Sequence, residues 1–236
     1  MNVILDIDET FVQFVGRDDW EKGVPDADKP KYETTDRSES GFFILRPHFD
    51  KFFDFLFKNC RTVNLWTLSD ADYAKNVAKL IERRGGNKKW NVANVWSEKD
   101  ADQASDDYGG RKNIKWIRYE QDGNFMPFNT ILVDDLPANT QNEQNIKNGI
   151  QLRPFNPLGE AVSRDKRTKT SIRDQHYTDL TNDDTLLKVI EKLKEVMEKP
   201  PFQGSTKINV GAGGKRKRLQ KKTKRSKGLR RKTSRR

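Results

Sequence analysis

The chain has 236 residues, of which 34% are charged and 33% are hydrophobic, and its formal net charge is +11 at pH 7. This length suits one domain with a sizeable core. The sequence has no apolar stretch of about 18 residues, so it offers no candidate for a membrane-spanning helix. Because an apolar strand is predicted from residue 2, we expect no N-terminal signal peptide. The single cysteine excludes an intramolecular disulfide and indicates a reducing compartment.

The excess positive charge is confined to the C-terminal end. Residues 215–236 contain 14 Lys or Arg and no acidic residue. Removing these 14 from the total of 46 leaves 32 basic against 35 acidic residues, so residues 1–214 carry a net charge of about −3. A run of this composition cannot bury enough apolar surface to fold alone. We therefore predict one domain over residues 1–200 and a disordered tail over residues 201–236.

The composition of the tail predicts binding to polyanions. Clustered Lys and Arg are typical of nuclear import signals and of nonspecific attachment to nucleic acid through its phosphates. We expect nucleic acid or import machinery as the partner, no membrane partner, and a nuclear or nucleic-acid-associated location without secretion. The tail also resembles those on nucleic-acid-associated proteins of large DNA viruses, which would make this protein virus-encoded. The sequence leaves the oligomeric state open, and a monomer is the simplest expectation.

The N-terminal segment ends in two closely spaced carboxylates, within the sequence ILDIDETFV at residues 4–12. Its apolar, β-branched residues predict a parallel strand that is covered on both faces. Alternation along an extended chain places Asp6 and Asp8 on the same side, where open α/β sheets bind ligands. Two carboxylates this close favour a cation between them. Because an isolated pair of this kind is usually a turn, the interpretation depends on the segments downstream.

Two further apolar segments also end in polar side chains. Residues 62–68 are predicted to form a strand with Thr67 near its end, and residues 129–137 a strand that ends in Asp134 and Asp135. Each residue alone has a structural explanation, such as the β propensity of threonine or a helix start at the two acids. Their occurrence in this order after the first carboxylate pair is much less easily explained by coincidence.

An amphipathic segment between these two strands supplies positively charged side chains. Residues 111–117 read RKNIKWI and contain Lys112 and Lys115. A solvated helix lysine is the simpler explanation of either residue taken alone. We assign Lys115, on the predicted intervening helix, to the site.

Periodicity predicts the remaining framework. Apolar residues recur at helical spacing over residues 49–56 and 73–81, with glycines following as a stop signal, and residues 183–199 are predicted to form a closing amphipathic helix. Residues 149–155 should be the last strand. Residues 13–40 are polar and rich in Asp, Lys and Pro, and we expect an irregular or hairpin insertion beside the site.

The motifs together resemble the haloacid dehalogenase superfamily of phosphatases. The similar segments are DIDET at 6–10, LWTLSDADYA at 65–74, KNIKWI at 112–117 and ILVDDLP at 131–137. Within the superfamily, glutamate in the fourth place of DIDET and the sequence RPHFDKFFDFL at 46–56 resemble the phosphatases of the RNA polymerase II C-terminal domain and their small relatives. The resemblance covers roughly residues 1–200. It implies a doubly wound α/β fold with a mainly parallel sheet and no large cap.

The resemblance implies a reaction through an aspartyl phosphate, and the residue types agree with it. Asp6 is the candidate nucleophile, because a carboxylate can accept a phosphoryl group and release it by hydrolysis. Asp8 would protonate the departing alkoxide and then deprotonate the attacking water. Thr67 and Lys115 would hold the equatorial phosphoryl oxygens, where charge lies in the transition state.

A divalent cation, most plausibly Mg²⁺, is the implied cofactor, because all of the candidate ligands are oxygens. The expected ligands are Asp6, a main-chain carbonyl near Asp8, and Asp135. Asp134 would act through a water molecule or by orienting the site lysine. Thr10 is expected to stabilise the turn after the strand. Related proteins often have Asn at the position of Asp135, and the extra negative charge here is expected to tighten metal binding.

The spacing of the motifs indicates an open site. About 57 residues separate Thr10 from Thr67 and about 48 separate Thr67 from Lys115, which leaves too little chain for a separate domain over the crevice. An open crevice favours a large substrate, so we predict hydrolysis of phosphoserine or phosphothreonine on proteins, with the RNA polymerase II C-terminal domain as one candidate. The alternatives are a polynucleotide 3′-phosphatase and a non-catalytic module that binds phosphopeptides or nucleic acid.

Other phosphatase and metal chemistries lack the necessary residues. His48, His176 and Cys60 are too few to build a zinc site of Cys and His ligands. A cysteine phosphatase needs an arginine about six positions after its nucleophile, and that position here is Trp66. The sequence GAGGKRK at 211–217 is only superficially similar to a phosphate-binding loop, because it has no Ser or Thr in the required place and no preceding strand.

Overall fold

The protein is described by a computed structural model of residues 1–38, 41–141, 145, 147–158 and 179–199. The strands of these residues are β1 (Asn2–Leu5), β2 (Val12–Gly16), β3 (Thr34–Ser38), β4 (Gly41–Leu45), β5 (Thr62–Trp66), β6 (Asn94–Trp96), β7 (Thr130–Asp134) and β8 (Gly149–Gln151). The helices are α1 (Arg17–Gly23), α2 (Phe49–Asn59), α3 (Ala71–Gly85), α4 (Glu98–Tyr108), α5 (Ile114–Trp116), α6 (Pro137–Thr140) and α7 (Thr185–Glu198).

A parallel five-stranded sheet, in the order β6-β5-β1-β7-β8, forms the centre of the fold. The first strand pairs with β5 on one side and β7 on the other, so Leu5 lies opposite Leu65 and Val133. Parallel strands end at the same edge of a sheet. The register therefore brings the residues that follow β1, β5 and β7 together, and it confirms the predicted α/β fold with a parallel sheet.

Both faces of this sheet are covered. Val3 and Leu5 belong to a core cluster that includes apolar residues of α2, α3 and α7. Ile4, between them in sequence, belongs to a second cluster with residues of α4 and α5 and with Trp66 and Trp96. Alternating side chains of one strand thus enter two cores, which explains why Val3, Ile4 and Leu5 are all apolar.

The insertion after the first motif is more regular than its polar sequence predicts. It contains α1 and a three-stranded antiparallel sheet in the order β2-β4-β3. Val12 pairs with Leu45 and Gly16 with Gly41. A Cβ atom at Gly41 would lie 2.2 Å from the carbonyl oxygen of Val15, so this close approach requires glycine. Buried aromatic and aliphatic side chains from β2, β4 and α1 pack together in a separate small core.

The other predicted elements are found with shifted limits. The helix predicted over residues 183–199 is α7, and the last strand is shorter than the predicted 149–155. The third helix ends at Gly85, and Gly86 has a φ of 51°, as a glycine stop signal requires. All described residues fall in one compact unit, Met1–Thr206. The predicted tail over 201–236, the loop-like sequence at 211–217 and His176 lie outside the described residues, so the predicted domain limits stay a prediction. No helix among the described residues is long and apolar enough to cross a membrane.

Candidate active site

A buried lysine holds the carboxylates at the ends of β1 and β7. The Nζ of Lys112 donates hydrogen bonds to Oδ1 of Asp6 and, over 2.8 Å, to Oδ2 of Asp134. The lysine side chain is fully buried, and both carboxylates are buried with it. Burial opposes the charged form of the lysine, but the two carboxylates outweigh burial and raise the pKa of Lys112.

The assignment of Lys115 to the site is wrong. Lys115 is exposed on α5, whereas Lys112 precedes that helix. The reason is the helix start, because the side chain of Asn113 caps α5 and accepts the backbone N–H of Lys115 over 3.0 Å. Lys112 therefore lies in the turn that precedes α5, with its side chain directed to the carboxylates at the sheet edge.

A buried asparagine fixes the backbone of this lysine segment. Nδ2 of Asn145 donates to the carbonyl oxygen of Lys112 over 2.5 Å and to that of Asn139 over 2.8 Å. Its Oδ1 accepts the backbone N–H of Ile114 over 3.2 Å. The side chain of Asn145 therefore connects the lysine segment with the loop that follows β7.

Asp134 is the structural centre of that loop. Its Oδ1 accepts the backbone N–H of Leu136 over 2.8 Å, and Nδ2 of Asn139 donates to both of its oxygens at 3.1 and 3.0 Å. Burial raises the pKa of Asp134 to about 6, with the charge of Lys112 opposing the rise. The contact with Lys112 means that Asp134 does orient a lysine, as expected, although not Lys115.

Three buried carboxylates form a group that could hold a cation. One oxygen of each of Asp6, Asp134 and Asp135 lies within 4.8 Å of the others. Burial, followed by repulsion from Asp6 and Asp134, raises the pKa of Asp135 to about 9, and burial also raises the pKa of Asp6. One ammonium group does not balance three carboxylates at this separation. The donor set and its uncompensated charge therefore fit a hard divalent cation such as Mg²⁺.

The second carboxylate of the first motif faces a different set of partners. Oδ2 of Asp8 accepts hydrogen bonds from Oγ1 of Thr67 and Oγ of Ser69, both at 3.1 Å. Its Oδ1 accepts a hydrogen bond from the hydroxyl of Tyr73 on α3. Burial, followed by the negative charge of Asp8, raises the pKa of Tyr73 well above its ordinary value. These hydrogen bonds hold the side chain of Asp8 away from the cluster of Asp6, Asp134 and Asp135. Only the main chain of Asp8 is therefore left for the predicted role in metal binding.

The turn over residues 7–10, which contains Asp8, is stabilised by backbone and side-chain hydrogen bonds. Glu9 has a φ of 58°, and the backbone N–H of Thr10 donates to the carbonyl oxygen of Ile7 over 3.3 Å. Oγ1 of Thr10 lies 3.4 Å from Oδ2 of Asp6, in keeping with the predicted role of this threonine in the turn. The carbonyl oxygen of Thr10 accepts a hydrogen bond of 2.8 Å from Nη1 of Arg46.

Arg46 connects this turn to α7. Its Nε donates to Oδ2 of Asp183 over 2.7 Å, and both side chains are buried. The guanidinium also lies over the ring of Phe155, 5.4 Å from its centroid. Asp183, two residues before α7, thereby supports the turn after Asp8 through Arg46.

The structure adds five residues to the site that the sequence did not assign to it. Each of them forms a hydrogen bond to a predicted site residue or to Lys112: Arg46, Ser69, Tyr73, Asn139 and Asn145. Tyr73 was predicted as a core position from helical spacing, which describes its ring but not its hydroxyl. Asn139 lies in the short helix α6 and Asn145 follows it, and a polar residue at either position gives no signal of burial.

Neither His48 nor Cys60 takes part. His48 is exposed and occupies the N-cap of α2 with a φ of 69°. Burial raises the pKa of the Cys60 thiol to about 12, so little thiolate forms near neutral pH. Both observations agree with the exclusion of cysteine and zinc chemistry.

The sheet order and the residues at its carboxyl edge place the chain in the haloacid dehalogenase superfamily. Residues 1–202 match the family described as NLI interacting factor-like phosphatase, and the chain belongs to that family. The predicted family resemblance is thereby confirmed.

The solved structures that are similar to this chain include two of Fcp1. A single-residue variant of the fission yeast RNA polymerase II CTD phosphatase Fcp1, bound to beryllium fluoride, is 15% identical with a TM-score of 0.48, over 84% of this chain and 51% of that one. A structure of Fcp1 described as an essential RNA polymerase II CTD phosphatase is 17% identical with a TM-score of 0.42, over 83% and 50%. The chain thus spans about half the length of both. No curated protein matches its sequence.

Proposed function

We propose that the protein is a magnesium-dependent phosphatase that forms an aspartyl phosphate and acts on phosphoserine or phosphothreonine in proteins. The observation that carries the proposal is the difference between the surroundings of Asp6 and those of Asp8. Asp6 lies among cationic and metal-binding groups, whereas Asp8 is surrounded by hydroxyl donors. Two carboxylates in such different environments suit a nucleophile and an acid–base group.

In the first half-reaction, an oxygen of Asp6 forms a bond to phosphorus while the bond from phosphorus to the seryl or threonyl oxygen breaks. Protonated Asp8 transfers its proton to the departing oxygen, which leaves as the free hydroxyl. The Lys112 ammonium and the Thr67 hydroxyl are the proposed donors to the phosphoryl oxygens, where the negative charge of the transition state is spread.

In the second half-reaction, Asp8 acts as a base. It takes a proton from a water molecule as the water oxygen attacks phosphorus, and the bond between phosphorus and the Asp6 oxygen breaks. Inorganic phosphate leaves, Asp6 is again a carboxylate and Asp8 is again protonated. Atoms and charge balance over the cycle, and no other base is needed.

Asp6 and Asp135, with the main-chain carbonyl of Asp8, are the proposed ligands of Mg²⁺. Bound there, Mg²⁺ would neutralise charge on the carboxylates and on the phosphoryl group. Lys112 separates Asp6 from Asp134, and so lets a nucleophilic carboxylate and its neighbour stay ionised close together. Leu136 and Asn139 keep Asp134 oriented toward that lysine.

The choice of a protein substrate rests on the open crevice and on charge. Residues 1–214 carry about −3 in total, which does not suit a surface that follows a phosphate backbone. Four acids of the insertion add less negative charge than their number suggests, because they pair with lysines in the same segment: Lys22–Asp18, Lys29–Glu21, Lys29–Asp26 and Lys31–Asp28. The overall charge of the domain therefore carries this step of the argument.

A substrate comparison with a chain ending at Gly214 tests the proposal. The tail is removed because it could recruit DNA and raise its local concentration even if the DNA does not fit the site. We expect a higher kcat/KM for phosphoserine and phosphothreonine peptides than for 3′-phosphorylated oligonucleotides. Radiolabelled peptide and an acid quench should trap a phosphoenzyme that is absent from Asp6→Asn. A preference for the oligonucleotide would instead make the protein a polynucleotide 3′-phosphatase.

A further inference from the structure

Tyr73 has a separate place among the donors to Asp8. The Thr67 and Ser69 hydroxyls both bind Oδ2, whereas the Tyr73 hydroxyl binds Oδ1. Thr67 has one hydroxyl proton, so it cannot donate to Asp8 and to a phosphoryl oxygen at the same time. When Thr67 turns to the substrate, Asp8 keeps one hydroxyl on each oxygen, and Tyr73 is the donor that holds Oδ1.

The ring of Tyr73 is held in place by the small antiparallel sheet. Phe14 on β2 meets it edge-on, with centroids 6.2 Å apart and planes at 89°. Phe43 on β4 packs at 5.7 Å and 55°. Phe14 and Phe43 also contact each other at 5.6 Å. Packing of this kind fixes the direction of the phenol oxygen, which a side chain in open solvent could not maintain.

We propose that Tyr73 is a positioning residue for Asp8, and that it presents the protonated carboxyl to the leaving-group oxygen during phosphoryl transfer. The inference rests on the proposed function, in which Asp8 is the acid. It gives the small sheet a part in catalysis, because Phe14 and Phe43 orient the phenol. A misdirected carboxyl transfers its proton poorly, and this matters most when the leaving group is strongly basic.

A purely structural tyrosine would behave differently. Loss of its hydroxyl would lower stability or slow all substrates by the same factor. A residue that acts through the acid must instead change the dependence of the rate on the leaving group. The quantity to measure is kcat/KM for a series of aryl phosphates, because it reports the steps up to enzyme phosphorylation and excludes hydrolysis of the aspartyl phosphate.

The variant is Tyr73→Phe, which keeps the ring and removes one oxygen. We expect kcat/KM to fall about tenfold for phenyl phosphate and less than about twofold for p-nitrophenyl phosphate, whose leaving group needs little protonation. Tyr119→Phe is the matched control, because Tyr119 is 59% exposed and its ring stacks on Tyr108, and it should change neither value. Equal losses for both substrates in Tyr73→Phe would overturn the proposal.

A double-mutant cycle separates failure of the inference from failure of the proposed function. Asp8→Asn should itself lose far more activity on phenyl than on p-nitrophenyl phosphate, and if it does not, the role of Asp8 is wrong. In the Asp8→Asn background, Tyr73→Phe should cause no further selective loss on phenyl phosphate. A full tenfold loss there would show that Tyr73 acts independently of Asp8. If Tyr73→Phe does not fold, Phe14→Leu provides the same leaving-group test, with a smaller expected effect, through a looser phenol.

Discussion

Lys112 and Asp6 lie 106 residues apart in sequence and form a fully buried ion pair at the edge of the parallel sheet. Burial raises the pKa of Asp6, and the contact with Lys112 opposes that rise and so favours the charged carboxylate. A nucleophilic carboxylate needs that charged form. The position of the lysine is therefore a condition for the chemistry proposed here.

Replacement of Lys112 should have a far larger effect than replacement of Lys115. We expect Lys112→Ala to lower kcat/KM at least about 100-fold, because it removes a buried donor to the charged transition state. It also leaves Asp6 and Asp134 without a counter-ion, so metal-free protein should lose about 3 kcal/mol of stability. Lys115→Ala, on the exposed side of α5, should stay within about twofold in both measurements. Similar effects of the two variants would contradict the site described here.

Asp135→Asn should lower the affinity for Mg²⁺ and raise the stability of the metal-free protein. The amide removes a carboxyl group whose ionisation is opposed by burial and by Asp6 and Asp134, and it keeps an oxygen ligand. We expect metal-free Asp135→Asn to unfold at a higher temperature than the wild type and to need more Mg²⁺ for activity. Added Mg²⁺ should raise the Tm of the wild type more than that of the variant. Asp135→Ala should be far less active, and equal Mg²⁺ dependence of all three proteins would remove Asp135 from the metal site.

The ion pair between Arg46 and Asp183 should make stability depend on pH. Burial alone would raise the pKa of Asp183, but hydrogen bonds from Arg46 and from the Thr185 backbone outweigh burial and lower it. The stabilisation is therefore complete above the unfolded pKa of about 3.9 and is lost as the pH falls through the lower folded value. At pH 7, Asp183→Asn should cost about 3 kcal/mol, because Arg46 stays buried without its counter-ion.

Urea unfolding of the wild type and of Asp183→Asn at several pH values measures this effect. The difference between the two proteins should shrink as the pH falls below about 4. Asp184→Asn is the control, because Asp184 forms an exposed pair with Lys188 and should change stability by less than about 0.5 kcal/mol. A difference for Asp183→Asn that does not change with pH would exclude this ion pair as its source.

The basic tail should affect nucleic-acid binding and leave catalysis unchanged. A chain that ends at Gly214 lacks all of the 14 Lys and Arg of residues 215–236. It should keep its kcat/KM on p-nitrophenyl phosphate. The full chain should bind DNA or RNA with an affinity that falls steeply with salt concentration, and the shortened chain should not. Binding by the shortened chain that is insensitive to salt would contradict this division.

The carboxylates and the threonine of the site could be predicted because they stand at strand ends. A parallel sheet brings such ends together whatever the intervening loops do. Asp6, Thr67 and Asp134 therefore followed from hydrophobic patterning alone. The lysine did not, because its position depends on where α5 begins. An asparagine is a common N-cap, so Asn113 was the available signal that Lys112 precedes the helix.

The residues that the sequence did not reveal act through long-range contacts. Asn145 reaches the Lys112 carbonyl across 33 residues, and Arg46 reaches Asp183 across 137. No local pattern encodes such pairs. The small sheet in the insertion was also not predicted in full, because its strands are short and polar residues interrupt their apolar pattern. Tyr73 combines both problems, since its ring packs as a core residue and its hydroxyl contacts Asp8.

The ion pair of Arg46 with Asp183 also sets an order of events during synthesis. The ribosome produces β1 and the proposed nucleophile first, and Asp183 only when most of the domain has been translated. Until that residue leaves the exit tunnel, the guanidinium beneath the nucleophile loop has no carboxylate partner. A nascent chain therefore carries Asp6 long before Arg46 meets Asp183, and the turn after Asp8 gains this support only once the residues before α7 have been translated.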